Sequence, residues 1–68
     1  MIDGKRFREL REAAMLTQEE LADRVGVARP VITRAESEIK DLSLGVAAAV
    51  ARELGCRIDD FIRKGGAA

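Results

Sequence analysis

The spacing of helix starts and stops between Thr17 and Pro30 constrains this chain most. Thr17-Gln18-Glu19-Glu20 reads as a capping box: the threonine hydroxyl takes the glutamate N–H, and the glutamate carboxylate returns to the threonine N–H. Leu21 and Val25, four apart, put two apolar side chains on the inner side of the helix so opened, with Ala22 beside them. Gly26 stops that helix, since glycine enters the left-handed region without a Cβ penalty. Pro30 falls in the first turn of the next one, where its missing N–H has no intrahelical partner to lose. Only a tight turn fits between them.

Such a helix-turn-helix needs apolar residues where its helices meet, and Leu21, Val25, Val27, Ile32 and Ala35 supply them. It needs a small residue at the crossing, Ala22, and a glycine at the turn, Gly26. The helix after the turn spans about Arg29 to Ser37. Val31, Ile32 and Ala35 fall on one side of it, with Arg29, Pro30, Thr33, Arg34 and Ser37 on the other. The outer face therefore carries two arginines, two hydroxyls and no acid.

The flanking punctuation is helical too. Asp3 can cap a first helix to about Ala14, with Phe7, Leu10 and Ala14 on one face and Arg11 at its border. A polar connection, Glu38 to Leu42, leads to Ser43, which can cap a fourth helix ending at the Gly55 stop. Its Ala47–Ala49 run permits close helix approach. Ile58, Phe61 and Ile62 have helical spacing and predict a short fifth helix to about Arg63. The fold class expected is all-α, a compact bundle of about five helices forming one domain over residues 1–64, with a flexible tail at 65–68.

Composition removes whole classes of function. The chain has 68 residues, no histidine and one cysteine, Cys56, so no disulfide can form within it. A zinc site would need an all-carboxylate shell, and Ser-His or Cys-His pairs cannot be assembled. Neither a metal, a cofactor nor an enzymatic activity is expected. Cys56 reads as a small core residue, with only Arg52 and Arg57 nearby to favour its thiolate. No apolar run is as long as a membrane span, and the first residues lack a secretory signal pattern, which predicts a soluble cytoplasmic protein. Twelve basic and twelve acidic residues give a net charge of zero. Phosphate binding depends on where charge lies, not on its sum.

The run LTQEELADRVGVARPVITRAE resembles the phage repressor and Cro-like helix-turn-helix family, also called the XRE family. The resemblance extends from Lys5-Arg6-Phe7-Arg8-Glu9-Leu10-Arg11 to Leu54-Gly55-Cys56-Arg57-Ile58-Asp59-Asp60. It implies a lambda-repressor-like helical bundle whose third helix enters the DNA major groove, usually in two-fold dimers on inverted-repeat operators. Carried over by position, Arg29, Pro30, Thr33 and Arg34 would face the bases. Arginine can donate to guanine O6 and N7, and Pro30 could pack on a thymine methyl. Thr17, Gln18 and Lys40 would hold phosphate, the first two at a helix N-terminus. Arg11 and Glu36 match a partly buried ion pair.

Three positions depart from the family pattern. Ala28 replaces the usual capping hydroxyl before the third helix, at a cost of about 1 kcal/mol. Glu38 and Asp41 bring acid to a loop that is commonly basic, leaving Lys40 as its phosphate ligand. Arg57 replaces a capping serine before the last helix.

The resemblance implies a sequence-specific regulator of transcription, a small dimeric repressor. Parts of Ile58, Phe61 and Ile62 left exposed would form its dimer interface. The alternative is a protein-interaction module, such as an antitoxin or accessory subunit that binds a partner protein, which the neutral charge, the acidic loop and an exposed Ile39 would suit.

Overall fold

The computed structural model describes residues 1–63, so the end of the expected domain at residue 64 and the tail at 65–68 lie outside the described residues. Among the described residues four α-helices form, each where its signals stand: α1 (Gly4–Ala13), α2 (Gln18–Val25), α3 (Arg29–Glu36) and α4 (Leu44–Leu54). Asp3 accepts the Arg6 N–H at 3.1 Å and Ser43 accepts the Val46 N–H at 3.3 Å. Both halves of the Thr17 capping box are made, at 3.0 and 2.8 Å. Ala28 contributes no side-chain cap, and Pro30 sits in the first turn of α3. Gly26 and Gly55 close α2 and α4 with φ of 76° and 68°. Helix α1 ends without a glycine: Met15 takes the left-handed turn at φ 61°, and the Leu16 N–H reaches back to the Arg11 carbonyl at 3.2 Å.

The fifth helix is corrected. Residues Ile58–Asp60 make a single 3₁₀ turn. The Asp60 carboxylate takes the Arg57 N–H at 2.9 Å, and Phe61 then leaves helical geometry at φ −128°. Instead of continuing a helix, the chain pairs with the N-terminus. Ile2 and Ile62 form an antiparallel bridge, the Asp3 N–H donates to the Phe61 carbonyl at 2.8 Å, and the Arg63 N–H donates to the Met1 carbonyl at 2.7 Å. These pairings supply partners that one more helical turn would have to find internally.

The core is Ile2, Phe7, Leu21, Ala22, Ile32, Ala35, Ala47, Val50, Ala51 and Phe61. Of the helix-turn-helix positions, Leu21, Ala22, Ile32 and Ala35 are buried, Val25 and Val27 are half-buried against them, and Gly26 is an exposed turn. Helix α2 packs on both α3 and α4, so the small residues Ala22, Ala47 and Ala51 lie where backbones approach. The Phe7 and Phe61 rings stack tilted, 5.5 Å between centroids.

Two acids of the α3–α4 loop hold the N-terminus in place. Asp41 accepts the Ile2 N–H at 2.9 Å; Glu38 accepts the Gly4 N–H at 2.8 Å and pairs with Arg63 at 2.7 Å. Gly4 is required by close approach, because a Cβ there would collide with the Glu36 carbonyl. The start of α1 is thereby pinned to the end of α3.

Candidate nucleic-acid interface

Because Ile32 and Ala35 turn α3 inward, Arg29, Pro30, Thr33 and Arg34 are brought together on its outer side, where they line one shallow depression; Val31, expected on the inner side, is half-buried beside Arg34 instead. Arg29, Pro30 and Arg34 are exposed and Thr33 is half-buried. No carboxylate lines this depression. An α-helix presenting a few long donors on an open face has the shape that a major groove admits.

Behind this face lies the ion pair. Arg11 donates from Nε to Glu36 at 2.5 Å, from Nη2 to the other carboxylate oxygen at 3.2 Å, and from Nη1 to the Leu16 carbonyl at 2.6 Å. Both side chains are nearly inaccessible, at 10% and 6%. The hydrogen bond to Glu36 raises the Arg11 pKa against the opposing effect of burial, so the guanidinium stays charged.

Gln18 couples that pair to the outer face. Its Nε2 donates to Glu36 at 3.0 Å, while its Oε1 accepts from Thr33 at 2.9 Å and lies 3.4 Å from the Arg29 Nε. The expected phosphate ligand is therefore a brace between α2 and α3, a role that sequence reading missed. A glutamine between a helix cap and a helix start carries no local mark of such a bond. What remains for an anion at Gln18 is the second Nε2 hydrogen and its backbone N–H, one of the unpaired donors of a helix start. Thr17 is exposed, and its oxygen caps the Glu20 N–H.

The depression at the start of α2 is lined by Arg11, Thr17, Gln18 and Arg29, and also by Glu19, Glu20 and Asp23. Its field is therefore mixed. The Glu20 carboxyl is held below its ordinary value by the Thr17 N–H and hydroxyl, so it is ionised at neutral pH. At the far end of α3, Ile39 and Lys40 fold back so that both N–H groups meet the Arg34 carbonyl, at 2.9 and 3.4 Å. That turn places exposed Lys40 beside Arg34 along a groove of about 250 Å³ floored by Val27, Val31, Leu42 and Val46. Asp41 lines the same groove, while its carboxylate and that of Glu38 accept from the N-terminal backbone.

Of the three candidate dimer residues, Phe61 has no exposed surface in the monomer and belongs to the core. Ile58 and Ile62 are half-buried. Cys56 is half-buried, and burial pushes its thiol up, with Asp60 adding to the shift and Arg6, rather than the Arg52 and Arg57 expected, opposing it. Among the described residues, no helix is long and apolar enough to cross a membrane.

Two helices joined at a left-handed glycine, with an arginine-bearing outer face and a buried Arg–Glu pair behind it, define the helix-turn-helix class. The helix-turn-helix family pattern matches residues 7–61, and the chain belongs to that family, in its phage-repressor or XRE-like form. Among solved structures, the fold is similar to that of the P22 c2 repressor in complex with synthetic operator 9T. That likeness has a TM-score of 0.85 at 24% identity, covering 93% of this chain and 96% of that one. It is also similar to the restriction-modification controller protein C.AhdI of Aeromonas hydrophila, at 33% identity, TM-score 0.78, 84% of this chain and 86% of that one. The biofilm master regulator SinR, in complex with DNA, shares the fold at TM-score 0.78 and 22% identity, covering 85% and 94% of the two chains. No match was found among curated proteins.

Proposed function

We propose that this chain is a sequence-specific double-stranded DNA-binding regulator of transcription, a small cytoplasmic repressor that acts as a homodimer on an inverted repeat. The observation that carries this reading is the acid-free outer face of α3, where Arg29, Pro30, Thr33 and Arg34 converge. Arg29 and Arg34 donate to guanine acceptors, Pro30 packs on a thymine methyl, and Thr33 bonds a polar base edge. Thr17, the Gln18 N–H and Lys40 hold phosphates on either side and set the register of α3 without reading sequence. Dimerisation through the exposed parts of Ile58 and Ile62 spaces two recognition helices about one DNA turn apart, so the dimer blocks a promoter sterically. The P22 c2 and SinR complexes and the C.AhdI controller support this reading. No metal, cofactor or catalytic step enters it.

With few phosphate ligands and the carboxylates of Glu19, Glu20 and Asp23 close by, affinity depends on salt less steeply than in a strongly basic binder. The test is selection from a random duplex pool, with Arg34→Ala as control. Enrichment of an inverted repeat by the wild type and its loss in the folded variant is the expected result. No enrichment at low salt by folded protein overturns the reading, and leaves a module that binds a partner protein instead.

A further inference from the structure

We infer that Thr33 reads an exocyclic amine in the major groove, cytosine N4 or adenine N6, because its hydroxyl proton is committed inside the protein. The inference rests on the operator-reading function and specifies its chemistry at one position.

A threonine hydroxyl can ordinarily donate to a base or accept from one, and so discriminates little. Here the choice is made by a chain of groups that begins at Arg11. Arg11 donates from Nε and Nη2 to the two Glu36 carboxylate oxygens, so both oxygens act as acceptors. The Gln18 amide, 3.0 Å from that carboxylate, must therefore turn its nitrogen toward it. Its oxygen then faces α3, an orientation that Arg29 independently requires, since the guanidinium Nε at 3.4 Å can only donate. The Thr33 Oγ1 lies 2.9 Å from this amide oxygen, which has no proton, so the hydrogen between them is the threonine's. The other protein acceptor near Thr33 is the Arg29 carbonyl at 3.3 Å, one turn back along the same helix. Both acceptors lie on the protein side. The lone pairs left for a base can only accept, and the major-groove groups that donate are the amines of cytosine and adenine.

Thr33 and its arginine neighbours thus have opposite polarity. The arginines seek guanine oxygen and nitrogen, whereas Thr33 seeks N–H. Either one placed over the other's base group would leave a desolvated polar atom unpaired.

The experiment begins from the selected operator. Comparing wild type with Thr33→Val, a substitution of nearly equal shape, identifies the base pair at which preference is lost; Thr33→Ala serves as the second variant. At that pair, single-atom analogues are introduced. Purine for adenine or pyrimidin-2-one for cytosine removes the amine, and 2-aminopurine for guanine or 5-methylpyrimidin-2-one for thymine removes the keto oxygen. Removing the amine should weaken wild type about tenfold and leave Thr33→Val nearly unchanged. Thr33→Ser, which keeps the hydroxyl, should restore the sensitivity. The inference is overturned if removing the keto oxygen produces this pattern, if no analogue separates the two proteins, or if Thr33→Val alters no position of an operator that wild type still selects. Failure to select any operator instead removes the regulator reading itself.

Discussion

Replacing both members of the Arg11–Glu36 pair should cost far less than the sum of the two single replacements. Arg11 makes three hydrogen bonds, two to Glu36 and one to the Leu16 carbonyl, from a site that is 8% exposed. Arg11→Met leaves a carboxylate 6% exposed with only the Gln18 amide for company. Glu36→Met leaves a guanidinium with only a carbonyl. Each single variant strands a desolvated charge, at about 3 kcal/mol. The double variant strands none, but frees the Leu16 carbonyl and the Gln18 amide, so its cost should be about 3.5 kcal/mol where additivity gives about 6. The coupling energy is then about 2.5 kcal/mol. A domain of this size has a total stability of roughly 3 to 10 kcal/mol, so the single variants lie near the edge of folding and a mild urea series is needed. The assay is equilibrium urea unfolding at neutral pH and constant salt, with unfolding slopes compared before energies are read. Additivity to within about 0.5 kcal/mol would show that the pair acts as two independent surface charges.

Gly4→Ala drives a methyl into the Glu36 carbonyl and should cost about 2 kcal/mol in the same unfolding assay; a neutral result would mean that α1 and α3 can separate there at little cost. Met15→Gly relieves a left-handed residue that is 88% exposed, so it should raise stability by about 0.5 to 1 kcal/mol, and a lower melting temperature would contradict this. Because the Thr17 N–H and hydroxyl lower the Glu20 pKa in the folded state, their contribution is full above the unfolded value and is lost as pH falls through the folded one. Glu20→Gln should accordingly flatten the acid limb of a melting-temperature profile, and an unchanged limb would remove the assigned cause.

How much could be read in advance follows from how local each signal is. The capping box, the Gly26 stop and Pro30 act within one or two turns of chain, and α2 and α3 form where they point. The outer face of α3 was legible for the same reason: four residues on one helix need only its periodicity to be placed together. The end of the chain was not. Ile58, Phe61 and Ile62 fit helical spacing, but the pairing of Ile2 with Ile62 is made across the whole domain, and it fixes Phe61 against Phe7. Ile2, buried in the core, stands outside any periodic segment. Glu38 and Asp41 read as charges opposing DNA, whereas they bond backbone N–H groups more than thirty residues away. Likewise the amide of Gln18 joins Glu36 and Thr33, a relation that no spacing rule contains.

Methylation protection on the selected operator reads out whether the outer face of α3 sits in the major groove. Dimethyl sulfate attacks guanine N7, which lies in the major groove beside the acceptors that Arg29 and Arg34 would engage. Guanine N7 should be protected in both half-sites, with the guanine that Arg34 reads becoming reactive again in Arg34→Ala while the variant remains folded. Protection confined to adenine N3 in the minor groove, or N7 protection that Arg34→Ala leaves intact, would mean that this face of α3 does not read the major groove.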